Sequence, residues 1–68
     1  MEFCVAVKKA RDQIGLSQQA FADRLSVSFS TVNRWEQGHH VPNRVTIKAI
    51  EALCKEHNIQ FSYSEEDK

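Results

Sequence analysis

The eleven residues "SFSTVNRWEQG", Ser28–Gly38, gather the side chains best suited to recognition chemistry. At helical spacing Val32 and Trp35 face one way, while Phe29, Ser30, Asn33, Arg34 and Gln37 face the other. An amide supplies donors and an acceptor, a guanidinium a planar fork of donors, and a hydroxyl either role. Phe29 adds an apolar ring. Such a face is either ordinary solvated surface or a surface that touches something specific by hydrogen-bond pattern and shape. Bond-making chemistry has no comparable support. Ser, His and Asp residues occur without motif context, and there is no phosphate loop and no nucleophile–base–acid set. The chain is not expected to be an enzyme or to need a cofactor.

Metal chemistry is equally unsupported by the spacing. His39 and His40 are adjacent, an arrangement in which two imidazoles rarely point together, and no third ligand is evident. Cys4 and Cys54 lie far apart and form no Cys-x-x-Cys pair, so free thiols in a reducing compartment are expected. There is no signal-peptide pattern and no apolar run long enough to span a membrane. These features lead to the expectation of a cytoplasmic protein without a membrane partner.

A chain of 68 residues makes one small domain, near the lower limit for burying a useful core. Its 41% hydrophobic content fits a compact fold rather than disorder. The formal net charge is zero, but Glu65, Glu66 and Asp67 sit in a polar tail. Residues 1–63 therefore carry a mild excess of Lys and Arg over Asp and Glu. A neutral domain can still bind an anionic partner if its few cations share one face.

The side chains of the recognition face must be positioned by helices. Phe3, Val7, Ala10 and Ile14 form an apolar stripe on a first helix from about Glu2 to Ile14, which Gly15 ends. Ser17 caps a second helix that buries Phe21, Ala22 and Leu25. After a tight break at Ser26-Val27, Ser28 caps a third helix and Gly38 stops it. Pro42 and Asn43 open a fourth, with Asn43 as the cap and Ile47, Ile50, Leu53 and Cys54 as its buried stripe, ending around Asn58. "IQFSYS" alternates apolar and polar residues and fits an extended arm, a short strand or a last turn. The division expected is a domain over residues 1–58 and an arm or tail over 59–68.

The second and third helices, Ser17–Leu25 and Ser28–Gln37, are joined by so few residues that they must cross steeply. A crossing needs a small residue where one helix passes over the other, and Ala22 is there. It also needs an apolar seam, which Phe21, Leu25, Val27, Val32 and Trp35 supply. The turn favours glycine at its left-handed residue. Ser26 stands at that position, at a cost of about 1 kcal/mol relative to glycine.

"GLSQQAFADRLSVSFSTVNRWEQG", followed by "VPN" and an apolar helix, resembles the phage repressor and Cro family of helix-turn-helix domains, the XRE family. The resemblance covers roughly residues 3–57 and implies an all-α, four- to five-helix, lambda-repressor-like bundle. It also implies sequence-specific binding of double-stranded DNA by a transcriptional regulator, repressor or antitoxin-like, with the third helix in the major groove. On this sequence the base-reading positions would be Phe29, Ser30, Asn33 and Arg34. Asn33 can pair with adenine, Arg34 can fork onto guanine or hold a phosphate, and the Phe29 ring can pack on a thymine methyl. Ser17 and Gln18 would meet the DNA backbone, where a helix N-terminus suits an anion in any case. Gln37, His39, His40, Asn43 and Arg44 lie where the family grips the other phosphate strand. The resemblance further implies a structural pair of Arg11 with Glu36.

Two partner readings follow. One is a homodimer on two DNA half-sites, regulated through a protein partner or a fused domain. The alternative is a protein-interaction module on the same fold that has lost DNA binding, with Phe29 beside Val41, Phe61 or Tyr63 as its patch.

Overall fold

The computed structural model describes residues 2–63, so Glu65, Glu66 and Asp67 lie outside the described residues. The described residues form four helices: α1 (Phe3–Ile14), α2 (Gln18–Leu25), α3 (Phe29–Glu36) and α4 (Arg44–Glu56). No strand occurs among the described residues. The bundle is therefore all-α with four helices rather than five.

Local chemistry sets both ends of each recognition element. Ser17 Oγ accepts from Ala20 N–H at 3.1 Å, Ser28 Oγ from Thr31 N–H at 3.2 Å, and Asn43 Oδ1 from Thr46 N–H at 3.0 Å. Each bond satisfies an amide that the first turn leaves unpaired. The expected boundaries shift inward for this reason. Ser17, Ser28 and Asn43 are extended-backbone caps, and Gln37 is the C-terminal cap of α3, so none of the four lies within a helix. Pro42 is buried but also stands outside α4.

All four helices end in the same way. Gly15, Ser26, Gly38 and Asn58 adopt positive φ, and the next residue donates its N–H back to the helix. These bonds run from Leu16 to Arg11, Val27 to Ala22, His39 to Arg34 and Ile59 to Cys54, at 2.9–3.3 Å. This is the paired closure of a Schellman motif, which often brings an apolar side chain back onto the helix. Here Leu16, Val27 and Ile59 all pack against the core.

Ser26 alone among these residues meets a steric penalty with no amide side chain to offset it, at φ 61° and ψ 40°. Ser26→Gly is expected to raise the unfolding free energy by about 0.5–1 kcal/mol, since relief of the left-handed strain exceeds the added freedom of the unfolded chain. A thermal midpoint that falls in this variant would contradict the strain argument.

Val7, Phe21, Ala22, Val32, Ile50 and Cys54 are completely inaccessible, and Trp35 nearly so. Ala22 is the small residue at the crossing of α2 and α3, and Val32 and Trp35 hold α3 down. Residues 59–63 form neither helix nor strand. Ile59, Phe61 and Tyr63 lean onto the core in alternation, as an extended arm does. The rings of Phe61 and Tyr63 meet Phe3 edge-on at 6.1 and 5.1 Å, and Phe3 meets Trp35 edge-on at 6.1 Å. Phe61 and Tyr63 are thus spent on the core. The patch that the interaction-module reading needs loses both.

Candidate nucleic-acid interface

Anchored by Val32 and Trp35, α3 turns the rest of its surface outward. Phe29 is 45% exposed, and Ser30 and Arg34 are also exposed. Asn33 is half-buried at the edge of this face. Its Oδ1 accepts only a long 3.5 Å contact from Gln37 Nε2, so its amide is weakly held. Phe29 does not fold back into the core: it is absent from the buried cluster and from the residues packed against it. The four expected base-reading side chains thus all project from α3.

The one acid on α3 is turned away. Glu36 Oε2 accepts from Arg11 Nε at 2.7 Å, and Glu36 Oε1 accepts from Arg11 Nη2 at 3.1 Å. Arg11 Nη1 also donates to the Leu16 carbonyl at 2.9 Å, which ties α1 to the turn before α2. The side chains are 13% and 5% exposed, so this fork is a nearly buried ion pair. Bonding to Glu36 raises the pKa of Arg11 above the ordinary guanidinium value, against a smaller opposing effect of burial. The structure therefore brings Arg11 and Glu36 together and removes a carboxylate from a face that would otherwise repel phosphate.

The Glu36 carboxylate has a third donor that the sequence reading did not anticipate. Gln18 Nε2 reaches Glu36 Oε1 at 2.9 Å, joining the first residue of α2 to the last residue of α3. One amide proton of Gln18 is committed to this bond and one remains for another acceptor. No local signal announces the contact, because the partners are 18 residues apart.

The other expected phosphate contacts fall in two places. Ser17 stands at the start of α2, its oxygen engaged as a cap. Gln37, His39, His40, Asn43 and Arg44 lie along the α3–α4 connection, all exposed. Asn43 Oδ1 is occupied by its cap bond, which leaves its amide protons. Arg24 pairs with Glu56 at 3.3 Å on the surface, a contact of little energetic weight.

The buried Cys54 thiol is not activated by its setting. Burial pushes the Cys54 pKa up, and the charge of Glu51 adds to the shift, so the group stays protonated at neutral pH. The sign is that of a raised pKa. The associated stability is complete below the ordinary thiol range and is lost as pH rises through the shifted value. Among the described residues no three His, Cys, Asp or Glu side chains converge as a metal site.

A family model described as helix-turn-helix matches residues 7–59. No curated protein matches the chain. Among solved structures, the chain is similar to the DNA-binding domain of the P22 c2 repressor determined by nuclear magnetic resonance in solution, with a TM-score of 0.76. Identity is 18%, over 81% of this chain and 72% of that one, so the likeness is one of fold.

Proposed function

The chain belongs to the helix-turn-helix family, and from that premise we propose that it binds double-stranded DNA sequence-specifically as part of a transcriptional regulator. In this reading α3 enters the major groove and presents Phe29, Ser30, Asn33 and Arg34 to base edges. Ser17 and the spare amide proton of Gln18 meet one backbone strand, and Gln37, His39, His40, Asn43 and Arg44 the other. The observation that carries the reading is the division of α3 itself. Val32 and Trp35 are locked in the core, its acid is paired with Arg11, and Ser30 and Arg34 point outward beside the exposed Phe29, with Asn33 at the edge of the same face.

One domain offers few base contacts, so we propose two copies on two half-sites. Half-sites one helical turn apart are separated by about 34–36 Å. The longest extent of this domain is 31 Å, which lets two copies lie side by side at that spacing. The reading places the protein in the cytoplasm, in keeping with two free thiols. No described helix is long and apolar enough to cross a membrane.

Selection of bound sequences from a random duplex pool, at two salt concentrations, tests the reading. An enriched sequence motif is expected, with affinity that falls as salt rises because phosphate contacts release counterions. Asn33→Ala is expected to weaken the selected site by about 1–3 kcal/mol, relax preference at one position and leave helix content unchanged. A pool from which no sequence is enriched would sink the assignment.

A further inference from the structure

Thr31, Arg34 and His40 line a cleft of about 150 Å³ beside α3. Thr31 and Arg34 are three positions apart and so are neighbours on one helix face. His40 comes from the connection that follows, where His39 N–H donates back to the Arg34 carbonyl at 3.1 Å and folds the chain over the helix end. No carboxylate lines this cleft. Asp12 and Glu36 border the groove along α1, and Glu51 borders the one beside Tyr63. The Arg34 guanidinium has no ion pair among the described residues. Thr31 Oγ1 lies 2.8 Å from Ser28 Oγ, which already accepts from Thr31 N–H. When Ser28 donates its own proton to Thr31 Oγ1, the Thr31 hydroxyl proton is left to point elsewhere.

We propose that Thr31, Arg34 and His40 form one seat for a single backbone phosphate of duplex DNA. The proposal rests on the DNA-binding reading above and sharpens it. Arg34 holds the backbone instead of reading a guanine, and Thr31 becomes a contact residue. The chemistry matches a phosphodiester: a guanidinium fork and a hydroxyl proton converge from α3, and an imidazole N–H arrives from the connection. Base reading then falls to Phe29, Ser30 and Asn33.

The test measures affinity for the selected site and for an unrelated duplex across a salt series, with the wild type, Arg34→Gln, Thr31→Val and Thr31→Ser. Arg34→Gln and Thr31→Val are expected to weaken both duplexes by the same factor, about tenfold, without changing the preferred sequence. Arg34→Gln should also reduce the slope of log affinity against log salt by about 1. Thr31→Ser keeps the hydroxyl and should bind as the wild type does. A change of base preference in Arg34→Gln, or full affinity in Thr31→Val, overturns the seat while DNA binding stands. A wild type that binds no duplex overturns both.

Discussion

Trp35→Ala is expected to lower the unfolding free energy by about 3–5 kcal/mol, enough to leave a domain of this size largely unfolded at room temperature. The indole is 1% exposed and is the largest of the fully buried side chains. It joins three parts of the molecule. It holds α3 to the core, meets Phe3 of α1 edge-on, and through Phe3 touches the arm that carries Phe61 and Tyr63. Truncation opens a cavity at this junction that helices fixed by caps and tight turns cannot collapse to fill. Trp35→Phe separates shape from polarity. Trp35 Nε1 is buried with no hydrogen-bond partner among the described residues, so its removal relieves a desolvation cost while most of the ring is kept. A loss of about 1–2 kcal/mol is expected there. Trp35 is the only tryptophan, so unfolding should be followed by circular dichroism rather than intrinsic tryptophan fluorescence. An unshifted thermal midpoint in Trp35→Ala would remove this residue from the core.

The helix order was legible because its signals are local. Ser17, Ser28 and Asn43 are capping residues at the right offsets, Gly15 and Gly38 are stops, and the short Ser26-Val27 link forces the crossing. Even the left-handed Ser26 could be read, because a turn so short has few conformations. Two features were not legible, for one shared reason: each depends on a partner distant in sequence. The alternation of Ile59, Phe61 and Tyr63 suits a strand, an arm or a turn equally well, and the position of Phe3 decides among them. Gln18 reads as a phosphate contact at the start of a helix, whereas one of its amide protons completes the bonding of a carboxylate on another helix. The pair of Arg11 with Glu36 was expected only by family resemblance, since nothing in the spacing of the two residues implies it.

That pair sets the second large effect. Arg11→Met is expected to cost about 3 kcal/mol, because it leaves Glu36 charged, nearly buried and short of its counter-ion, and leaves the Leu16 carbonyl without a side-chain donor. The loss is mostly a penalty on what remains. The double variant with Glu36→Leu should therefore recover much of it, despite having even fewer polar contacts. Recovery stays incomplete because Gln18 Nε2 also loses its acceptor. The pH dependence has a definite sign. The Arg11 pKa is raised, so its stabilising contribution is complete below the ordinary guanidinium range and lost only above it. The difference between wild type and Arg11→Met should accordingly stay flat from about pH 7 to about pH 10. Urea melts of the two single variants and the double variant measure the coupling directly. Single-variant losses that simply add in the double variant would show that the two side chains stabilise the fold independently. Strong coupling would mean that α3 is held in its register by a polar clamp on α1 and α2, so that loosening the clamp should weaken DNA binding even with every residue of the exposed face intact.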